Sequence, residues 1–169
     1  AWAEPASAMS SDGRLLLYNA DADGVTRIYA RRLTDAVGTP LSGSEGGIGP
    51  VLSPDNLWVA FNGANGRWQK IPVQGGAPVT INYPPDVTVG VLRWNGMDGH
   101  AVTLGDGTLA LLRNTGAIDS VAVPDRTRHE QSLDVMEVLP GGNLLVIATD
   151  DWPAGHLFSV EPATGKRTP

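Results

Sequence analysis

The chain has 169 residues and a formal net charge of −6, from 12 Lys plus Arg against 18 Asp plus Glu. An acidic chain whose adjacent basic residues are limited to pairs such as Arg31-Arg32 is poorly suited to bind a phosphate backbone, so we expect no nucleic-acid partner. It contains no cysteine, which excludes a disulfide framework, a zinc-thiolate site and a cysteine nucleophile. No apolar run reaches the length of about 18 residues that a spanning helix needs, so we expect no membrane insertion.

Four similar segments recur along the chain at a fixed period. Asp12, Asp55, Asp98 and Gly141 stand at equal steps of 43 residues, and each is followed by an apolar run. Periods of about 40–45 residues that are composed of strands are typical of propeller blades. The sequence therefore predicts an all-β chain with a single β-propeller segment over 1–169, in four blades at about 1–43, 44–86, 87–129 and 130–169. Because four-bladed rings are at the small end of the range, we expect these blades to be half or part of a larger ring.

Within each repeat, turn signals alternate with apolar strands. The first turn of each repeat carries residues that tolerate positive φ, and we predict a structural role for them: Asp12-Gly13, Asp55-Asn56, Asp98-Gly99 and Gly141-Gly142. Apolar strands follow over 15–18, 58–61, 101–104 and 144–147, and third strands over 27–33, 68–73, 108–113 and 156–160. The outer strand of the first repeat is predicted at 41–43. By the same register the last blade would lack its outer strand, which leaves an open edge and suggests homodimer formation through blade edges.

The sequence of the second repeat resembles that of a known family of repeats. Ser53-Pro54-Asp55 before an apolar strand, and the run IPVQGGAP over 71–78, resemble the TolB-type, WD40-like propeller repeat. Residues 28–33 together with 39–46 resemble, more narrowly, the propeller carried behind the kinase domain of some bacterial eukaryotic-like serine/threonine protein kinases. The resemblance implies a bacterial binding propeller, in a periplasmic or other extracytoplasmic location, with no chemistry of its own.

Three groups of residues resemble parts of functional sites, and each also has a structural interpretation. Asn19-Ala20-Asp21-Ala22-Asp23-Gly24 has the opening of a calcium loop, but Ala30 stands where the bidentate Glu belongs, so we predict a hairpin. Asp150-Asp151 with His156 has the residue types of a metal or acid–base site, although carboxylates in a Pro/Gly turn more often form a solvated tip. Ser42-Gly43-Ser44-Glu45-Gly46 lacks the first glycine of a nucleophile elbow. We predict no catalytic residue, no cofactor and no metal.

Tryptophans are the remaining feature. We predict Trp58 in the core, and we name Trp68 and Trp152 as weak candidates for contact with a partner, since exposed aromatic rings anchor many interfaces.

Three functions remain open. The first is a non-catalytic propeller that binds a protein or peptide. The second is the ligand-sensing domain of a receptor-type serine/threonine kinase. The third is the accessory propeller of a prolyl-oligopeptidase-like hydrolase, which would filter the substrates of a separate catalytic domain.

Overall fold

The computed structural model of the protein describes residues 7–150 and 155–169. Within these residues the chain forms sixteen β-strands and a short 3-10 helix at Arg126–Arg128. The strands make four antiparallel sheets of four strands each, and the order of strands in every sheet follows the chain. The prediction of an all-β chain with four propeller blades is confirmed, while the larger ring stays a prediction.

The strand bounds of the four blades are as follows. Blade one contains β1 (Ser7–Met9), β2 (Leu15–Ala22), β3 (Val25–Arg32) and β4 (Thr39–Pro40). Blade two contains β5 (Ile48–Leu52), β6 (Trp58–Asn62), β7 (Trp68–Pro72) and β8 (Val79–Thr80). Blade three contains β9 (Val89–Trp94), β10 (Gly99–Leu104), β11 (Leu109–Arg113) and β12 (Ile118–Ala122). Blade four contains β13 (Ser132–Val138), β14 (Leu144–Thr149), β15 (Gly155–Val160) and β16 (Arg167–Thr168).

The chain divides into two compact units. Unit one is Ala1–Ile81 and holds blades one and two, and unit two is Asn82–Pro169 and holds blades three and four. The described strands of each blade fall inside the repeat predicted for it.

In unit one, the core forms where a face of blade one meets a face of blade two. Leu17 and Ile28 of blade one pack with Val59, Phe61 and Ile71 of blade two, and all five are at most 1% exposed. Burying each of these side chains contributes about 1.5–3 kcal/mol. A four-stranded blade has apolar residues on both faces, so this stacking is what makes the sheet stable.

In unit two, blades three and four meet in the same way. Ala101 and Leu109 of blade three pack against Leu133, Val135 and Val146 of blade four, and none of them is exposed to solvent. The apolar strands predicted at 101–104 and 144–147 are thus confirmed as core strands.

Three of the four first turns have the backbone that the sequence predicts. Gly13 has φ +69°, Asn56 has φ +59°, and Gly141 and Gly142 have φ +94° and +89°. These values lie in the left-handed region that glycine and asparagine tolerate best.

In the third repeat the prediction of Asp98-Gly99 as the positive-φ turn pair is wrong. The left-handed residue is Gly96, at φ +65°, while Asp98 ends the turn and Gly99 is the first residue of β10. Gly99 is needed for another reason, because a Cβ at this position would overlap the carbonyl oxygen of Leu112 on the neighbouring strand.

The prediction that the last blade lacks an outer strand is also wrong. β16 pairs with β15 through Ser159 and Thr168, just as β4 pairs with β3 through Ala30 and Thr39. The outer strand of blade one is therefore Thr39–Pro40, ahead of the predicted 41–43, and the same shift places the outer strand of blade four within the chain.

Two glycines of unit one allow a test of blade packing. Gly43 has φ +88°, and a Cβ on it would overlap the carbonyl oxygen of Gly76, whereas a Cβ on Gly13 meets nothing. We expect Gly43→Ala to lower the free energy of unfolding by about 3 kcal/mol or more, since it adds a backbone overlap to the left-handed strain. Gly13→Ala carries the strain alone, about 1–2 kcal/mol. Urea unfolding of both variants measures the difference. Equal losses of unfolding free energy would contradict the close packing of the loop at Gly43 against the loop at Gly76.

Candidate functional site

A serine and an aspartate brace the first turn of blades one and two. The hydroxyl of Ser10 donates to Asp12 Oδ1 at 2.6 Å, and Asp12 Oδ1 also accepts from the backbone N–H of Arg14 at 3.0 Å. In blade two the hydroxyl of Ser53 donates to Asp55 Oδ1 at 2.5 Å, and the N–H of Leu57 donates to the same oxygen at 3.0 Å. The carboxylates thus have a structural role.

These contacts act on the carboxyl groups. The hydrogen bond from Ser10, followed by that from the Arg14 backbone, lowers the pKa of Asp12 below its ordinary value. The bonds from Ser53 and the Leu57 backbone lower the pKa of Asp55 in the same way. Both carboxyls are therefore ionised at neutral pH, when they are acceptors only.

The braced turns lie beside a cleft of about 830 Å³ in unit one. Asp12, Gly13 and Asn56 of the predicted turn residues line it together. Two leucines on its wall, Leu33 and Leu57, are 50% and 55% exposed. We refer to it below as the unit-one cleft.

The charges at the unit-one cleft are balanced. Arg14 and Arg32 line it together with Asp12 and Asp35, and the guanidinium of Arg14 lies 4.0 Å from the carboxylate of Asp12. Both side chains of this pair are well exposed, so the pair adds little to stability and stays accessible to an incoming group.

Unit two contains a second cavity, of about 670 Å³, beside the outer part of blade four. Glu130 and Arg167 line it and form a salt bridge, with the Arg167 Nη1 at 2.7 and 2.9 Å from the two carboxylate oxygens. Arg167 Nη2 also donates to the carbonyl of Val123 at 2.9 Å, and the guanidinium lies over the Phe158 ring at 5.0 Å. This arrangement fastens β16 to the chain segment that enters blade four.

Two of the three residues considered for metal or acid–base chemistry lie at the unit-two cavity. These are Asp150 and His156, and Asp150 Oδ1 is buried with no hydrogen-bond partner among the described residues. Asp151 lies outside those residues. Over 7–150 and 155–169, no group of three or more His, Cys, Asp or Glu is placed to hold a metal ion.

The calcium-like stretch of blade one forms the predicted hairpin. Asp23 and Gly24, with φ +54° and +74°, make the two-residue turn between β2 and β3. The Asn19 amide is engaged elsewhere, since it donates to the carbonyl of Gly47 and accepts from the N–H of Gly49.

Two of the three tryptophans singled out in the sequence, Trp58 and Trp68, lie in strands of blade two. Trp68 is fully buried in β7, so a partner cannot reach its ring in the folded protein and its prediction as a contact is wrong. Trp152 lies outside the described residues. Trp58, predicted in the core, is only half-buried, with the Lys70 ammonium 5.3 Å from its ring centre.

Sequence reasoning missed Asp134, a carboxyl on the inner strand of blade four. It is 7% exposed, and the Ser132 hydroxyl donates to its Oδ1 at 2.6 Å. Burial raises the pKa of Asp134, and the hydrogen bond from Ser132 offsets this only in part. The signal available in the sequence was the pair Ser132 and Asp134 beside the apolar residues Leu133 and Val135.

These sheets, turns and interblade cores define a TolB-like β-propeller fold. Among solved structures, the chain is similar to TolB from Acinetobacter baumannii, with 14% identity and a TM-score of 0.73 over 96% of this chain and 42% of that one. It is also similar to a TolB candidate from Agrobacterium tumefaciens, with 12% identity and a TM-score of 0.77 over 96% of this chain and 62% of that one.

An enzyme shares the fold. An oligogalacturonate lyase in complex with manganese has 14% identity and a TM-score of 0.66, over 96% of this chain and 51% of that one. The chain thus spans 42–62% of the length of these structures, and at such identities the likeness establishes the fold alone. No protein-family model matches the sequence, and no curated protein matches it. The described part of the chain contains no helix that is long and apolar enough to cross a bilayer.

The salt bridge of blade four can be compared with an exposed one in blade three. Arg167 pairs with a side chain only 7% exposed, whereas Arg113 pairs with Asp119 at the same 2.7 Å while both are at least half exposed. We expect Arg167→Ala to lower the free energy of unfolding by about 3 kcal/mol, because it strands the buried carboxylate of Glu130. Arg113→Ala serves as the control, at less than about 1 kcal/mol. Denaturant unfolding distinguishes the two, and equal losses would refute the anchoring role of Arg167.

The opposite pKa shifts of Asp134 and Asp55 predict opposite pH trends. A raised pKa means that Asp134 favours folding while it is protonated, and that this contribution is lost as pH rises from its ordinary pKa of 3.8 through the folded value. Asp134→Asn should therefore gain stability relative to the wild type between pH 3 and pH 7. The lowered pKa of Asp55 means that its ionised form favours folding, and this contribution to wild-type stability appears as pH rises from the folded pKa toward 3.8. Asp55→Asn should therefore lose stability relative to the wild type over that rise. Unfolding free energies measured from about pH 2 to pH 7 test both signs.

Proposed function

We propose that this chain is a non-catalytic propeller module that binds a protein or a peptide, and that the unit-one cleft is its binding site. The observation that carries the proposal is the exposure of Leu33 and Leu57 on the wall of a cleft of about 830 Å³. Exposed leucines that line a concavity offer apolar area for a partner side chain to bury, which is the usual source of binding energy at an interface.

The apolar surface of the cleft extends inward from these two leucines. Leu41, which is 4% exposed, and the partly buried Leu15 and Val73 line it as well, and all three belong to or pack against the interblade core of unit one. A wall supported by a packed core is largely preformed, so a ligand would lose little free energy in ordering it.

The charges around the cleft suit a peptide. The exposed guanidinium of Arg14 is available to carboxylate side chains and backbone carbonyl groups of a peptide, and the balance of two arginines and two aspartates favours no strongly charged ligand. Such a rim contributes orientation and specificity more than affinity.

The hydrogen bonding of Ser10 supports binding over catalysis. Its hydroxyl donates to Asp12 and accepts from the N–H groups of Arg14 and Leu15 at 3.1 and 2.9 Å. A serine nucleophile needs a base that takes its proton, oriented by a third group. Here the hydroxyl and the carboxylate are both committed to bracing the turn.

The kinase-sensor and hydrolase-accessory hypotheses and the extracytoplasmic location concern the whole protein, and they stay predictions.

Selection from a random peptide library tests the proposal. Peptides displayed on phage would be selected on the immobilised chain, and their affinities measured for the wild type, Leu57→Ser and Val37→Ser. Val37 is the matched control because it is 77% exposed and does not line the cleft. We expect Leu57→Ser to weaken binding at least about tenfold, as removal of an apolar anchor does, and Val37→Ser to leave it unchanged.

Two results would count against the cleft. One is the recovery of peptides that bind the wild type and Leu57→Ser with equal affinity. The other is a selection that yields no binding peptide at all.

A further inference from the structure

The outer strand of blade three differs from the outer strands of the other blades. β12 runs over five residues, Ile118–Ala122, whereas β4, β8 and β16 have two residues each. Blade three therefore presents a longer edge than any other described blade.

The short outer strands are also protected by proline. Pro40 is part of β4, Pro78 precedes β8 directly, and Pro169 follows β16 directly. Proline has no N–H and prevents another strand from pairing at its position, which is a common protection of sheet edges. β12 contains no proline, and the next one, Pro124, lies beyond its end.

The alternation of hydrogen-bonded pairs between β11 and β12 shows which backbone groups of β12 face outward. The Arg113 N–H donates to the carbonyl of Ala117 at 2.8 Å, and Leu111 stands opposite Asp119. In an antiparallel ladder, hydrogen-bonded pairs alternate with pairs whose N–H and C=O groups point away. Ile118 and Ser120 are thus the residues whose backbone groups point away from β11.

The open part of this edge is short and well defined. Beyond Ser120, blade four covers it, because Gly165 lies so close that a Cβ there would be 2.6 Å from the carbonyl oxygen of Val121, and Arg167 donates to the carbonyl of Val123. Among the described residues, none hydrogen-bonds to the outward backbone groups of Ile118 and Ser120. Two N–H and two C=O groups remain for a partner.

We propose that the edge at Ile118–Ser120 binds an extended segment of a partner protein as an added fifth strand, with a lysine or arginine of that segment opposite Asp119. Strand addition uses main-chain hydrogen bonds for affinity and side-chain contacts for specificity. This site is in unit two and is independent of the unit-one cleft, so either proposal can fail without the other.

The charge of the edge identifies the kind of segment. Asp119 is half-exposed, its Oδ2 accepts from Arg113 Nε at 2.7 Å, and no described residue hydrogen-bonds to its Oδ1. Because Ile118 and Ser120 would bond to the added strand, Asp119 would face its opposite residue in a non-hydrogen-bonded pair, where side chains lie about 4.5–5.5 Å apart. A basic residue there would pair with the remaining carboxylate oxygen.

A second copy of the chain suits this edge less well. The antiparallel register that uses all four backbone groups pairs Ile118 of one copy with Ser120 of the other, and it places the two Asp119 side chains directly opposite each other. Like charges in that position destabilise pairing. Other registers bring the second strand against the turn at 114–117 or against the residues that blade four covers.

Titration of the ¹⁵N-labelled chain with the end-blocked peptide Thr-Val-Lys-Val-Thr tests the proposal. We expect the amide resonances of Ile118 and Ser120 to shift, and hydrogen exchange at both amides to slow. The peptide Thr-Val-Glu-Val-Thr should bind at least about tenfold more weakly, since it places like charges opposite each other, and Asp119→Asn should remove that preference.

Ser120→Pro blocks the edge, because it removes an outward N–H that blade three does not use. It should prevent the shift of the Ile118 amide, while Ser120→Thr, which keeps the N–H, should not. N-methylation of the two valines of the peptide, whose N–H groups would face the edge, gives the same test without any change in the protein.

Equal binding by Ser120→Pro, equal binding of the methylated peptide, or shifts elsewhere on the chain would overturn the proposal. Light scattering provides the remaining outcome. A dimer that Ser120→Pro dissociates would replace the partner strand with a second copy, whereas a monomer in both cases supports the proposal.

Discussion

Polar side chains that hydrogen-bond the backbone of the next blade hold the blades of each unit in register. In unit one, the Asn19 amide bridges the carbonyl of Gly47 and the N–H of Gly49 at 2.9 and 3.1 Å. In unit two, the Thr103 hydroxyl donates to the carbonyl of Leu133 and accepts from the N–H of Val135 at 3.0 and 3.1 Å. The inner strand of a blade has one unpaired edge, and buried backbone groups there must find partners. Apolar stacking supplies most of the stability, but these bonds fix where one sheet lies on the next.

The sequence predicts this fold well because its signals are local and repeated. Turns such as Asp23-Gly24 and Asp55-Asn56 separate short apolar runs, so each hairpin can be located without any knowledge of its neighbours. The outer strands gave no such signal. Thr39–Pro40 pairs with β3 at two positions and is exposed on both residues, so it has neither the length nor the alternation that marks a strand, and its position was predicted too late in the chain.

The candidate sites were harder to predict, since they depend on which residues the fold brings together. Trp68 is of a residue type that often anchors interfaces, yet its position in β7 buries its side chain. Leu57 belongs to no motif, yet it lies exposed on the wall of a cleft, just after the braced turn at Asp55. Asp134 needed both the Ser132 contact and the burial of β13 to be recognised as unusual. Exposure and burial of single side chains are properties of blade packing, and the repeat pattern alone does not specify them.

The two proposed surfaces of the chain rest on different physical terms. The unit-one cleft offers apolar area, so its affinity would depend on side-chain fit and change little with salt. The β12 edge offers backbone groups and one carboxylate, so its affinity would depend on an extended conformation of the ligand and weaken as salt screens Asp119. A repeat protein can gain such separate surfaces at low cost, because each blade is stabilised mainly by its neighbours. An outer strand without proline in one blade, or an exposed leucine in one turn, is a local feature that packing between blades does not require, so a stack of similar sheets can carry distinct binding sites.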